Sequence, residues 1–489
     1  MNDYPETEYE ALPRPASEGP PKRKPHQRVA GRSMHRVDQT TEQMVRSVLA
    51  YAENRVRMDP VPLDKATLTP AQLHERLHGV IRESPRHPDE VLGVYSSVIA
   101  PSVISADSPR FLGFIPAAPT KASLLFDMLV SSASIQGISW LEASGAIAAE
   151  NSVLRLIADE AGLPRAAGGA FVSGGSAGNL SALAVARETA KVRLGATLAG
   201  RRPRVVVSTD AHSSIVNTLR LLEMDALTVE TGDHRLTRAS VESALAPEDD
   251  VTDVVAVVCT SGTTNAGIID DLAGVGALAR ERGWWFHVDG AYGGAGLFVP
   301  SLKPRYAGVE LADSFILDPH KWLFTPFDCC ALLYRDPALA RATHTQDASY
   351  LDVIHPDDGE PGEWNPTDYA YHLTRRARGL PLWFSLAVHG VEAYRRTIEG
   401  AVVLARETAG LVRRTPHLEL VREPDLGIVL FRRVGWKPED YEAWARGLHA
   451  DDVAFIPPSK WDGETVGRFA FLHPGTGMDV VREVLARTE

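Results

Sequence analysis

Residues 284–334 read WWFHVDGAYGGAGLFVPSLKPRYAGVELADSFILDPHKWLFTPFDCCALLY, and three short apolar runs within them decide the fold. Trp284–Val288, Ser314–Leu317 and Cys330–Tyr334 show little polar alternation, as expected of strands covered on both faces. The first two stop at an aspartate, Asp289 and Asp318. Working outward, the same pattern predicts strands at Ala170–Val172, Arg204–Ser208, Ala226–Val229 and Val254–Cys259. Helical spacing separates them, over Asn179–Leu194 and Leu272–Arg282 among others. Such alternation predicts an α/β fold with an open, largely parallel sheet, whose ligands bind at the carboxyl ends of the strands.

Flanking segments divide the chain further. Residues 1–38 are rich in Pro and mixed charge, which predicts a disordered tail, with a solvated basic cluster PKRKPHQR at Pro21–Arg28. Residues 39–110 are expected to form a helical arm that starts near Thr40 and resumes over Leu68–Glu83. The large domain is expected over 111–378, and within it the polar, Pro/Gly-interrupted stretch 343–374 reads as an active-site lid. A smaller α+β unit is expected over 379–489, with strands near Ile428–Arg432 and Gly467–Leu472.

Composition narrows the function. Of 489 residues, 44% are hydrophobic and 23% charged, which excludes a mostly disordered chain. The net charge of −12 disfavours general nucleic-acid binding. No apolar run approaches the roughly 20 residues of a membrane span, and MNDYPETEYEALPRP lacks the apolar centre of a signal peptide. The three cysteines, Cys259, Cys329 and Cys330, support neither a disulfide framework nor a spaced metal site. A soluble, cytoplasmic protein without a metal is the expectation.

Four features fall at strand ends. Ser173-Gly174-Gly175-Ser176-Ala177-Gly178 precedes a long helix, where small residues let backbone N–H groups approach an anion, although a plain tight turn has the same look. Asp289 is followed by Gly290-Ala291, which leaves room for a flat ligand; an Asx turn is the plainer reading. Lys321 in DPHKW sits in an apolar setting, where desolvation lowers an amine's pKa and suits Schiff-base chemistry; a buried ion pair with Asp318 is the alternative. His212 in TDAHSS is placed to stack on a planar ring or carry a proton, and Thr263 and Thr264 add hydroxyls at the same edge. Phosphate cradle, carboxylate, stacking imidazole and Schiff-base lysine together are what pyridoxal 5'-phosphate requires.

The chain resembles the pyridoxal-phosphate-dependent group II amino-acid decarboxylases, the family of aromatic-amino-acid and glutamate decarboxylases. SGGSAGN, TDAHSS, HVDGAYGG and DPHKW occur in the family's order, and the likeness runs from FLGFIPAAPT at Phe111 to GRFAFLHPGT at Gly467–Thr476. It implies the aspartate-aminotransferase-type fold (fold type I), a homodimer with its active site at the interface, and a role for each residue. Lys321 would bind the cofactor covalently, and Asp289 would keep its ring nitrogen protonated. His212 and Ala291 would flank the ring. Gly175, Ser176 and Asp318 would lie near the phosphate, and Thr263 or Thr264 near the ring substituents. His320 would be a proton carrier, and Phe114, Pro116, Ile138 and Trp140 would border the substrate.

Tyr350 looks like the family's lid tyrosine, which returns a proton to the carbon that has lost CO₂; a tyrosine that merely packs the lid is the plain alternative. Without that donor the carbon is open to oxygen and an aldehyde results, and family members with Phe there tend to be aldehyde synthases. The resemblance therefore implies α-decarboxylation of an L-amino acid to an amine. An aromatic substrate leads, with an acidic or pathway-specific amino acid as alternatives. Departures bear on that choice: Ile138 replaces the Phe of aromatic decarboxylases, Phe114–Ala117 matches only in part, and Gly174-Gly175 replaces Ser-Ala. An aldehyde synthase or aminotransferase on the same fold is the alternative reaction, and a catalytically silent regulatory homologue is the non-enzymatic one. A cysteine desulfurase is disfavoured because Cys329 and Cys330 lie in an apolar run.

Overall fold

Seven apolar segments pair edge to edge: β1 (Gly168–Val172), β2 (Arg204–Ser208), β3 (Asp225–Val229), β4 (Val254–Thr260), β5 (Trp285–Asp289), β6 (Ser314–Leu317) and β7 (Cys330–Tyr334). The computed structural model describes residues 34–64, 68–115, 118–248, 250–355 and 363–489. The sheet order is β1-β7-β6-β5-β4-β2-β3. Neighbours run parallel from β6 through β5, β4 and β2 to β3, whereas β7 is antiparallel to both β6 and β1. The reason is local. The segment between Leu317 and Cys330 contains no helix with which to return to the sheet's opposite end, so the chain turns back beside itself.

Register then brings the chemistry to one edge. Thr260 pairs with Asp289, Asp289 with Ile316, Leu317 with Ala331, and Val172 with Cys330. The carboxyl ends of β1, β4, β5 and β6 and the start of β7 therefore lie side by side, each feeding a loop at that edge.

Helices cover both faces. In chain order α1 (Gln39–Val56), α2 (Pro70–Leu77) and α3 (Pro88–Val94) come first, and α4 (Lys121–Ser132) and α5 (Trp140–Glu160) follow. Next come α6 (Gly175–Leu194), α7 (Ser213–Leu221), α8 (Arg238–Leu245), α9 (Leu272–Arg282) and α10 (Pro337–His344). One face of the sheet packs on α6 and α7. The other packs on α5 and α9, and this core continues into the C-terminal layer. That layer holds a four-stranded antiparallel sheet, order β10-β11-β9-β8, of β8 (Leu418–Leu420), β9 (Ile428–Arg433), β10 (Ser459–Trp461) and β11 (Glu464–Ala470). Around it lie α11 (Leu380–His389), α12 (Val391–Arg414), α13 (Pro438–Ala450) and α14 (Met478–Ala486).

Several expectations change. The helix expected over Leu68–Glu83 is only α2, with Gly79 in the left-handed region just past its end. The stretch expected as a lid contains the end of α10 and short 3₁₀ turns at Ser349–Ile354 and Pro366–Tyr369; residues 356–362 lie outside the described ones. The expected tail and its basic cluster lie outside them up to residue 33, while Asp38 already caps α1 by accepting from Thr41 N–H.

A buried ion pair anchors the chain on its return from that stretch. Arg375 Nη2 donates to both carboxylate oxygens of Glu150 on α5 at 2.7 and 2.8 Å, Arg375 Nη1 donates to Gly137 O, and Glu150 also accepts from Gly379 N–H. Both side chains are inaccessible to water. Removing one partner strands a buried charge, so Arg375→Met should destabilise the fold by about 3–5 kcal/mol in urea unfolding. The double variant Glu150→Leu/Arg375→Met should lose less than the two single losses added together.

Candidate active site

The loops at the shared edge enclose a cavity of about 370 Å³. At one end is the start of α6, which carries no side-chain cap, so its first-turn N–H groups at Gly175 and Ser176 stand at the cavity wall. Gly175 allows a close approach: a Cβ there would sit a tight 3.2 Å from both Ala291 Cβ and Asp318 Oδ2. An anion fits this cradle without a lysine in the loop.

At the other end lies Asp289, 4% exposed. Its Oδ1 accepts from Ala291 N–H at 3.0 Å and its Oδ2 from Asn179 Nδ2 at 2.9 Å. Among the described residues no lysine, arginine or histidine forms an ion pair with it. A buried carboxylate without a cation is costly unless a ligand brings one, and a protonated ring nitrogen does so. His212 and Ala291 both line the cavity, with His212 Nδ1 accepting from Ser214 N–H at 3.2 Å and bonded to Ser214 Oγ at 2.8 Å. The sequence reading missed Asn179 and His287, although both lie inside the quoted motifs. Polar residues whose neighbours are strand or helix core carried the only signal.

Lys321 Nζ reaches the cavity and lies 2.9 Å from Asp318 Oδ2. The sequence expectation of a depressed lysine pKa is corrected here. Burial does push the amine down, but the charge and hydrogen bond of Asp318 outweigh it, and the pKa is raised. The ion pair that sequence offered as the alternative is the arrangement present. Asp318 is 2% exposed and flanks the cradle, yet an ionised carboxylate only accepts hydrogen bonds. It holds the lysine and is chemically unsuited to bind a phosphate dianion. His320 Nδ1 accepts from Cys329 N–H at 3.1 Å, so the neutral ring carries its proton on Nε2, 3.6 Å from Asp318 Oδ2. Burial lowers its pKa more than Asp318 raises it.

Other expected residues fall elsewhere. Thr264 lines the cavity but Thr263 does not: its hydroxyl accepts from Ile268 N–H at 3.1 Å and closes the loop. Phe114 is 62% exposed and packs against Phe111 and Phe455. Ile138 and Trp140 stand by the C-terminal part of the lid stretch, where Trp140 N–H donates to Asn365 Oδ1 and Ile138 O accepts from Thr367 N–H. None of these three lines the cavity, and Pro116 lies outside the described residues. Tyr350 is 68% exposed and does not reach the cavity of its own chain. Arg468 on β11, which sequence reasoning did not single out, donates to Phe114 O, Thr264 O and Asn265 O and so ties the small sheet to two site loops. Cys329 and Cys330 are buried, and burial pushes both thiols well up, which removes the desulfurase nucleophile.

Cradle, uncompensated carboxylate, lysine and flanking His212 and Ala291 fit pyridoxal phosphate. Comparison with known proteins agrees. The family model for the pyridoxal-dependent decarboxylase conserved domain matches residues 70–434. The aromatic-L-amino-acid decarboxylase of Bacillus atrophaeus is 30% identical over 386 residues, 78% of each chain. That of Cavia porcellus is 31% identical over 386 residues, 75% of this chain and 79% of the relative. A crystal structure of Oryza sativa TDC with PLP and tryptamine superposes with a TM-score of 0.84 at 25% identity, covering 91% of this chain and 97% of that one. The chain belongs to the pyridoxal-dependent decarboxylase family.

Proposed function

We propose that this protein is a homodimeric, cytoplasmic α-decarboxylase that converts an L-amino acid, foremost an aromatic one, to its amine and CO₂. The observation that carries the reading is a buried, cation-free Asp289 in the same cavity wall as Lys321 and the uncapped α6. Aromatic-L-amino-acid decarboxylases among the relatives support the substrate class. On this reading residues 39–110 are an arm, 111–378 the cofactor-binding domain and 379–489 the small domain.

Pyridoxal phosphate, when bound, supplies an electron sink for the carbon that loses CO₂. Gly175 and Ser176 N–H would bind the phosphate. Asp289 would hold a proton on the ring nitrogen. His212, Ala291 and Thr264 would border the ring. Lys321 Nζ would hold the cofactor. His320 presents Nε2–H as a donor, because its Nδ1 is committed to Cys329. Tyr350 Oη delivers the final proton from the partner subunit, a placement supported by its exposure on its own chain. Phenylacetaldehyde synthase of Arabidopsis thaliana, 28% identical over 439 residues, keeps the aldehyde-forming reaction as the second reading.

Incubating the cofactor-loaded protein with a panel of L-amino acids should give CO₂ and one amine in equal amounts by mass spectrometry. Lys321→Ala should abolish both turnover and the cofactor's visible absorbance. Aldehyde in place of amine would move the assignment to the synthase reaction.

The Asp318–Lys321 pair sets a pH dependence. A raised lysine pKa keeps the amine charged through neutral pH, and only the free amine attacks the cofactor aldehyde. Capture of cofactor by the apoprotein should therefore quicken about tenfold per pH unit from pH 7 to 9. Asp289, His320 and Cys330 also face the amine and stay in place in Asp318→Asn. In that variant burial is opposed only by the weaker pull of Asp289 and Cys330, and the rise should level off at lower pH in stopped-flow absorbance.

Tyr350→Phe should keep the absorbance and divert product to aldehyde, ammonia and hydrogen peroxide. Co-expressing Tyr350→Phe with Lys321→Ala chains should restore amine formation at about a quarter of all sites, since random pairing makes half the dimers mixed with one complete site each.

A further inference from the structure

Beneath the cavity runs a chain of hydrogen bonds whose every direction is determined. Trp285 Nε1–H, which can only donate, gives to Ser314 Oγ at 2.7 Å. Ser314 Oγ lies 2.8 Å from His287 Nδ1. On the far side of that ring, His287 Nε2 lies 2.8 Å from Asn179 Oδ1. Asn179 Nδ2 donates to Asp289 Oδ2 at 2.9 Å and to Ser214 Oγ at 3.0 Å, and Ser214 Oγ lies 2.8 Å from His212 Nδ1. Asp289 accepts only, so the amide nitrogen of Asn179 must face it and the amide oxygen must face His287. His287 therefore carries a proton on Nε2, and Ser314 donates to its Nδ1. Ser214, having accepted from Asn179, donates to His212 Nδ1, which leaves the proton of neutral His212 on Nε2.

Asn179, His287 and Ser314 are fully buried and Ser214 nearly so. Burial pushes the His287 imidazole down to about 4, so it adds no positive charge below Asp289. A protonated His287 would neutralise the carboxylate and weaken its hold on a ring nitrogen. Neutral and fixed in one tautomer, it orients Asn179 and leaves the negative charge for the ligand.

We propose that Asn179, oriented by His287, is the positioning residue behind both ring contacts of the cofactor: it aims the Asp289 carboxylate and, through Ser214 Oγ, holds the His212 ring whose tautomer the Ser214 backbone N–H sets. This rests on the cofactor reading above and adds to it the two residues through which Asp289 and His212 are coupled. Asn179 and Ser214 border the cavity, but their hydrogen bonds run to Asp289 and His212, so the role is one of orientation.

The test is cofactor binding to full-length apoprotein, followed by absorbance titration with pyridoxal phosphate and needing no turnover. Asn179→Asp puts a second carboxyl beside Asp289. While the introduced carboxyl keeps its proton it can still donate, and it loses that ability as pH rises. Affinity relative to wild type should therefore be close at pH 6 and fall roughly 10- to 100-fold by pH 9, the scale of a lost hydrogen bond to a charged group. His287→Leu should weaken binding to a similar degree at all pH values, because Asn179 is then free to turn its oxygen toward Asp289. His287→Gln restores an N–H toward Asn179 and should bind within about threefold of wild type. A pH-independent ratio for Asn179→Asp, or equal losses in His287→Gln and His287→Leu, would overturn the proposal. If His287→Leu fails to fold, the Asn179→Asp profile decides alone. Wild-type protein that binds cofactor in this way but releases no CO₂ from any amino acid would sink the decarboxylase reading and leave the positioning role intact.

Discussion

The cavity holds two buried carboxylates, Asp289 and Asp318, and a single lysine within reach of either. Lys321 pairs with Asp318, so among the described residues Asp289 forms no ion pair and its hydrogen-bond partners are neutral. That imbalance is the constraint from which the rest follows. A cavity wall can keep an ionised, cation-free carboxylate only if hydrogen bonds hold it and a ligand completes it. The hydrogen bonds come from Asn179 and the Ala291 amide. The completing charge must come from something flat, because Ala291 and His212 bound the space, and anionic at its far end, because α6 points its free N–H groups there. Sheet register makes the arrangement possible, since Asp289 pairs with Ile316 on the neighbouring strand, just before the loop that carries Asp318 and Lys321.

Asp318 serves two purposes that pull against each other. Its pairing keeps Lys321 charged and soluble in a buried position, where a lone ammonium would be costly. The same pairing makes the amine a poorer nucleophile until a proton leaves. His320 moderates this from the side, as a neutral donor held by Cys329 and not as a second cation. The apoprotein therefore stores its lysine in a stable form and releases it as pH rises, which an isolated, desolvated lysine would not do.

The fold was largely legible in the sequence because buried parallel strands leave an unambiguous mark. The runs Arg204–Ser208, Ser314–Leu317 and Cys330–Tyr334 were placed to the residue, since their ends coincide with abrupt polar turns. The short edge strands β8 and β10 were not anticipated, for their three residues each carry no period to detect. In the site, Asp289, Lys321, His212 and the Gly175–Ser176 turn, which the structure brings to one cavity, were legible because each follows a strand end. The pKa of Lys321 was not, because sequence shows burial but not which carboxylate lies 2.9 Å away. Thr263 and Thr264 were inseparable for a similar reason: only the backbone turn decides which hydroxyl closes the loop. Asn179 and His287 were hidden by being core residues on an apolar helix face and strand.

The substrate side is written differently from the cofactor side. Every group that grips the cofactor on this reading comes from one chain and one sheet edge, with Asp289 and Asp318 buried beneath the more open Ser176, His212 and Thr264. The residues expected to meet the amino acid, Phe114, Ile138, Trp140 and Tyr350, stand outside that cavity, and Phe114 and Tyr350 are largely exposed. Exposed aromatic side chains at the rim of an open pocket gain most by packing against another surface. In a homodimer that surface is a second copy, so cofactor binding would be a property of the chain and substrate choice a property of the pair. A change such as Ile at 138 in place of Phe then alters selectivity without touching cofactor binding, because no contact in the Asp289 network or the α6 cradle passes through it. Relatives with one cofactor site and different products are what such a division produces.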